Sequence, residues 1–240
     1  MRYVISDIHG CYEEYMEFLE KIKLSEANDH LYILGDVLDR GPEPMKVLLD
    51  IITRQNVTYI TGNHDYLFCY FIYKLGLDLS TTETMSEADI SDFRAYLLDG
   101  GITTIESFMK LSLEERQAVY DFLKNAKAYD EVLVDGKRYV LVHAGISGFR
   151  EEKDLTEYDA LDFICGRTDY GKRYYKDRNT YMVTGHTPTM HIHADKEATI
   201  YIGNGHIAID CGCVYGKRLA AYCFETEENV YVDAREKYCK

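Results

Sequence analysis

Tryptophan is absent from this 240-residue chain, and basic residues are few. There are 27 Lys and Arg against 41 Asp and Glu, a net charge of −14. That excludes a general nucleic-acid-binding surface, which needs a basic footprint. No apolar run approaches the ~20 residues of a membrane span, so no membrane partner is expected. The seven cysteines are odd in number and lack the paired C-x-x-C spacing of a zinc ribbon. They read as reduced thiols of a cytoplasmic protein, mostly small core residues. The first strand signal opens at Arg2, which leaves no room for a leader peptide. Repeats, low-complexity tracts and obvious linkers are also missing.

What is present is a sizeable core. Hydrophobic residues make up 46% of the chain, with 22 Tyr and 9 Phe supplying aromatic bulk. This suits one α/β domain over residues 1–240. One pattern recurs five times: an apolar strand, a glycine or polar turn, then a residue of metal-ligand type. Arg2–Ser6 leads to Asp7-Ile8-His9-Gly10, and Leu31–Leu34 to Gly35-Asp36. Val57–Thr61 leads to Gly62-Asn63-His64-Asp65, Tyr139–Val142 to His143-Ala144-Gly145, and Tyr181–Thr184 to Gly185-His186-Thr187. Each match alone is weak. Parallel strands would bring all five loops to one edge, where open α/β sheets carry their chemistry.

Helical spacing predicts a helix over Tyr12–Lys23, with Tyr15, Phe18, Leu19 and Ile22 buried, and so a βαβ unit. Pro44 opens a second helix through Arg54. Tyr66–Leu75 is apolar on nearly all sides and predicts a helix buried beneath the loops. Residues 76–128 are acidic and read as a helical insertion or cap, with a capping box from Ser112 and Glu115. Residues 147–179 form a second, irregular block. Short strands over Thr199–Ile202, His206–Asp210, Arg218–Phe224 and Asn229–Val232 suggest an antiparallel meander. On such a strand Cys211 and Cys213 would face the same side.

The candidate ligands are Asp7, His9, Asp36, Asn63, His143 and His186. Six side chains suit two ions better than one. If Asp36 bridges, one ion takes Asp7 and His9 and the other takes Asn63, His143 and His186, roughly 3.5–4 Å apart. Mixed carboxylate, amide and imidazole donors suit manganese, with iron or zinc as alternatives, over calcium. Two dications outweigh Asp7, Asp36 and a bridging hydroxide, so the centre attracts phosphate, and the hydroxide is the nucleophile. Arg40 carries a planar fork that matches phosphate oxygens. His64 is spare beside Asn63 and is the natural general acid, with Asp39 holding its ring. The bland reading of Gly35–Gly41, a turn with Asp39 and Arg40 as a solvated pair, stands beside this one.

The five blocks resemble, in order, the signature of the calcineurin-like metallophosphoesterase superfamily, and within it the phosphoprotein phosphatase family. The chain length, the Leu97-Leu98-Asp99-Gly100-Gly101 loop and Ile209-Asp210-Cys211-Gly212 are similar to compact bacterial and phage serine/threonine phosphatases and to bacterial diadenosine tetraphosphatases. The resemblance implies a four-layer α/β/β/α sandwich with the ligand set assigned as above. It also implies phosphate held by Arg40, Asn63, His64 and a later arginine, for which Arg167 in Phe163-Ile164-Cys165-Gly166-Arg167 is in place. Eukaryotic protein phosphatases usually carry Glu where Asp65 stands and a second Gly where Ala144 stands. Those departures point toward the bacterial branch.

His191 and His193 alternate on an expected strand and read as surface residues, and His30 and His206 as structural ones. The stretch Arg167–Arg178 is locally basic, with Lys172, Arg173 and Lys176 interleaved with Tyr170, Tyr174 and Tyr175. It reads either as a rim for a phosphorylated substrate or as a solvated loop. The sequence therefore predicts a binuclear-metal phosphoesterase acting on a phosphorylated protein or a nucleoside polyphosphate. Serine/threonine protein phosphatase ranks first. Bis(5'-nucleosyl)-tetraphosphatase is the alternative, and a catalytically silent phosphate-binding module the second.

Overall fold

The computed structural model describes residues 1–80 and 85–235. The expectation for Cys239 lies outside the described residues; the other six cysteines are free thiols. The first part of the chain alternates strand and helix: β1 (Arg2–Ile5), α1 (Tyr12–Ile22), β2 (His30–Leu34), α2 (Pro44–Thr53), β3 (Val57–Ile60) and α3 (Asn63–Leu75). Tyr15, Phe18 and Leu19 form the buried stripe of α1, which stops at a left-handed Lys23. Pro44 opens α2, where its missing N–H costs nothing. β1, β2 and β3 pair in parallel, as the βαβ reading requires.

A helical block follows: α4 (Glu87–Tyr96), a π-turn over Leu97–Gly101, α5 (Ile102–Phe108) and α6 (Leu113–Lys124). The kink before α5 falls on Gly100, whose φ of 104° suits glycine. Ser112 caps α6 in the expected box with Glu115. The remaining elements are β4 (Tyr129–Val134), β5 (Lys137–Val142), α7 (Ala160–Ile164), β6 (Thr180–Thr184), β7 (Tyr201–Gly203), β8 (His206–Ala208), β9 (Arg218–Cys223) and β10 (Asn229–Asp233).

Two five-stranded mixed sheets result, in the orders β10-β9-β1-β2-β3 and β4-β5-β6-β8-β7. Their inner faces meet through Val4, Leu34, Ile60 and Tyr222 on one side and Leu141, Val183 and Ile207 on the other. The first sheet's outer face packs Ile5, Leu31 and Ile33 against Phe18, Leu48 and Phe68 of the helices. The second sheet's outer face packs Val140, Val142 and Met182 against Phe163, Ile164 and Tyr175. Each such burial is worth about 1.5–3 kcal/mol. This is the expected α/β/β/α layering, with a thin fourth layer. No described helix is long and apolar enough to cross a membrane.

Four expectations are corrected. The C-terminal strands do not form one meander: β8 joins the second sheet in parallel with β6, whereas β9 pairs with β1 in the first. α3 begins three residues earlier than its apolar run and leaves Tyr73 71% exposed, so only one face is buried. Cys211 and Cys213 sit in different core clusters, because Gly212 at φ 71° turns the chain between them. His191 ends a 3-10 turn rather than lying on a strand.

Candidate active site

The loops that follow β1, β2, β3, β5 and β6 converge at the edge where the two sheets meet. The first two are knitted by backbone bonds: Asp7 N donates to Gly35 O at 3.0 Å, His9 N to Asp36 O at 2.9 Å and Gly10 N to Val37 O at 2.8 Å. Asp65 ties the second loop to the third. Its fully buried carboxylate accepts from the N–H groups of Asp36, Gly62, Val37 and Leu38 at 2.7–3.1 Å. Asp65 is therefore a clamp and not a substrate contact. The loops also need bare backbone. A Cβ on Gly62 would lie 2.1 Å from Asp36 Oδ1, and one on Gly185 would lie 2.2 Å from Asp7 Oδ2. Asp7, His9, Asp36, Asp39, Arg40 and His186 all take left-handed φ, from 45° to 68°. Such conformations cost of order 1–3 kcal/mol each in non-glycine residues and cluster at functional sites.

Asp36 is the hub. His9, Asp36 and His64 offer ligand atoms within 4.8 Å of one another, and so do Asp36, His143 and His186. The carboxylate of Asp36 lies 3.7 Å from His9 Nε2 and 3.4 Å from His143 Nε2. Asn63 Oδ1 lies 3.1 Å from His143 Nε2. Asp7 belongs to neither triad; its carboxylate accepts from His186 N at 3.0–3.1 Å.

This donor set fits divalent ions. His9 Nδ1 donates to Leu38 O and His143 Nδ1 to Leu34 O, both at 2.6 Å. A carbonyl only accepts, so each ring keeps its proton on Nδ1 and aims Nε2 inward, as metal-ligating histidines do. The electrostatics agree. Burial opposes charge on His143, but Asp36 and Asp7 outweigh it and raise the imidazole to about 10. Burial, against His143 and with Asp36, raises Asp7 to about 7. The cluster of Asp7, Asp36 and His143 thus favours positive charge. Arg40 Nη1 faces His9 Nε2 at 2.8 Å, so coordination through Nε2 requires the guanidinium to move. Manganese at a hundred times its Kd adds about 2.7 kcal/mol of stability to a protein that binds it only when folded. For a chain of this size the melting midpoint should rise by about 5–10 °C over the chelated protein. Thermal melts with and without chelator check this, and equal midpoints would refute it.

The second constellation surrounds His64. Its Nδ1 donates to Asp39 Oδ2 at 2.7 Å. Asp39 Oδ1 accepts from Tyr96 OH at 2.7 Å and Thr104 Oγ1 at 2.6 Å. Burial works against protonated His64, but Asp36 and Asp39 outweigh it and raise its pKa. Asp99 Oδ2 lies 3.6 Å from His64 Nε2, and Asp99 Oδ1 accepts from Arg40 Nη2 at 3.2 Å. The helical block thus docks onto the site loops through Tyr96, Asp99 and Thr104. Asp99 falls within the Leu97–Gly101 loop noted in the sequence, whereas Tyr96 and Thr104 had no local signature.

A cavity of about 720 Å³ opens from this centre. Buried Asp36 and His64 line it with half-buried Asn63, His186 and Arg40, and Asp99 and Arg167 are its exposed members. Met190, Tyr215 and Lys217 form a wall that the sequence reading missed. Asp210 also lines it; burial, with Asp7 nearby, pushes that carboxyl well above the usual range. Apart from Arg167, the basic stretch does not reach the cavity. Arg173 donates to the carbonyls of Asp177 and Thr180, Lys176 pairs with Glu151, and Tyr175 is buried. His30 and His206 are structural, bonded to Thr58 Oγ1 and Lys172 O at 2.8 Å.

Residues 2–209 match the calcineurin-like phosphoesterase family. The chain is 30% identical to the asymmetrical bis(5'-nucleosyl)-tetraphosphatase PrpE of Anoxybacillus flavithermus, over 98% of this chain and 95% of that protein. It is 28% identical to the corresponding protein of Oceanobacillus iheyensis, over 98% of this chain and 93% of that protein. A solved serine/threonine phosphatase from Saccharomyces cerevisiae superposes with a TM-score of 0.58 at 11% identity, covering 98% of this chain and 80% of that one. That last likeness is of fold alone.

Proposed function

Since the chain belongs to the calcineurin-like phosphoesterase family, its site is that of a metal-dependent phosphoesterase, and we propose that its substrate is a dinucleoside tetraphosphate. The observation that carries this reading is the near full-length similarity to asymmetrical bis(5'-nucleosyl)-tetraphosphatases. It reverses the ranking drawn from sequence, where a phosphorylated serine or threonine stood first. A catalytically silent module is disfavoured by the complete donor set.

In this reading Asp36 would help to hold two divalent ions, manganese first and iron or zinc as alternatives. Asp7 and His9 would hold one with it, and Asn63, His143 and His186 the other. When bound, the ions supply Lewis acidity and a nucleophile from water at neutral pH. Arg40 and Arg167 hold the oxygens of the scissile phosphate through charge-assisted bonds. Asp99 gives up Arg40 to the incoming phosphate. His64, oriented through Nδ1 by Asp39, presents Nε2–H to the departing oxygen. Tyr96 and Thr104 keep the Asp39 carboxylate from turning. Asymmetrical cleavage breaks one P–O anhydride bond with water and releases a nucleoside triphosphate and a nucleoside monophosphate.

The direct test compares kcat/KM for diadenosine tetraphosphate and a phosphothreonine peptide at one free manganese concentration. The dinucleotide should be preferred by at least about tenfold, a difference of about 1.4 kcal/mol in transition-state binding. A preference for the peptide would restore the protein-phosphatase reading.

A further inference from the structure

We infer that Lys217 and Tyr215 form the subsite for the leaving nucleotide, Lys217 against its phosphate chain and Tyr215 beneath its base. The inference rests on the dinucleoside-polyphosphate reading of the site. Both residues line the same cavity as His64, Arg40 and Arg167 but belong to the wall formed just before β9. One phosphate at the metals already has Arg40 and Arg167. Lys217 is a further cation, and a single phosphate gives it nothing to bind. The cavity, about 720 Å³, falls in the range of about 300–1,000 Å³ that encloses whole cofactor-sized ligands.

Ion pairing alone does not single out Lys217. Arg54, Lys127 and Lys176 pair with carboxylates, whereas Lys23, Lys110 and Lys196 do not among the described residues, so its place on the cavity wall carries the argument. Lys217 and Arg167 have no ion-pair partner among the described residues, and both are exposed where the cavity opens. An exposed, unpaired cation on the cavity wall is available to an anion bound there, although Lys217 also borders a shallow pocket lined by Asp195, Glu197 and Asp233. The backbone under Lys217 is fixed: its N–H donates to Gly212 O at 3.1 Å. A Cβ on Gly212 would lie 2.8 Å from Met190 Cε and 3.4 Å from Lys217 Cγ, so both stems lie over bare backbone.

Tyr215 supplies the complementary chemistry. The residue is 48% exposed and lines the cavity. Arg40 Cζ stands 5.7 Å from the ring centroid, which leaves the ring beside the phosphate-binding end. A half-exposed ring beside cations is the arrangement that stacks a base whose phosphates the cations hold. A phosphorylated peptide offers neither a second phosphate for Lys217 nor a base for Tyr215.

The test reads inhibition of nitrophenyl phosphate hydrolysis by inorganic phosphate, inorganic tripolyphosphate and ATP, with free manganese held constant. Lys217→Ala should weaken tripolyphosphate and ATP by about 10- to 100-fold relative to phosphate, the loss expected for a charge-assisted bond. Lys217→Arg should recover most of it. Tyr215→Ala should weaken ATP by about 5- to 100-fold relative to tripolyphosphate, and Tyr215→Phe should not. Equal shifts for all three inhibitors in Lys217→Ala, or equal shifts for ATP and tripolyphosphate in Tyr215→Ala, overturn the subsite. Turnover of diadenosine tetraphosphate by the wild-type protein is scored separately. If it is absent while the variant effects appear, the subsite stands and the reaction was misread. If it is present without those effects, the subsite is wrong.

Discussion

Asp36→Asn is expected to cost the protein both ions and to lower turnover of every phosphate ester by about 10³-fold or more. Asp36 is the residue common to both triads, so its charge serves two ions at once. Lewis-acid stabilisation by bound metal is worth several kcal/mol, and each 1.36 kcal/mol is tenfold in rate. Asparagine keeps the local architecture. Its Oδ1 can still accept from His64 N, as Asp36 Oδ1 does at 3.0 Å, and the backbone N–H still meets Asp65. Elemental analysis beside a nitrophenyl phosphate assay checks this. A variant that retains two ions per chain would remove Asp36 from the bridging role.

His64→Ala should divide substrates by their leaving groups. General acid help contributes about 10²–10⁴-fold, and only where the departing oxygen needs a proton. Alkyl phosphomonoesters should therefore lose about that factor. Nitrophenyl phosphate, whose leaving group is already a stable anion, should lose much less. The residue is buried, and its Nδ1 is tied to Asp39, so the side chain has one orientation to offer. Equal losses on both substrates would make His64 a phosphate-binding group and not an acid.

The candidate ligands and His64, which the structure brings to one edge, were legible because the signal was local. An apolar strand followed by a turn and a ligand is a short-range pattern, and five copies in one α/β chain define an edge. The contacts made by Tyr96, Asp99, Thr104 and Lys217 carried no such pattern. Their roles depend on which face of a helix or turn docks where, and that is settled by packing between segments far apart in sequence. The structural role of Asp65 was hidden for a related reason. Its side chain marked a branch of the family, but nothing local showed that its carboxylate is satisfied by four backbone N–H groups. The basic stretch stayed open between two readings because composition does not reveal that Arg173 is spent on backbone carbonyls. Sheet membership at the C-terminus was equally hidden: alternation marks a strand, not its neighbours.

The placing of β1 in its sheet also sets a timetable. Its two neighbours are β2, which follows within a few tens of residues, and β9, which follows roughly 200 residues later. A ribosome adding about 5–20 residues per second leaves one edge of β1 without its partner for roughly 10–40 s. Throughout that interval Val4 and Ile5, fully buried in the finished fold, lie beside unpaired backbone groups. An open apolar strand edge is a template for pairing with other chains. A nascent chain stalled before Arg218 is therefore an aggregation hazard, and so is a product truncated there. That edge is covered only when Arg218 and the residues after it have been made.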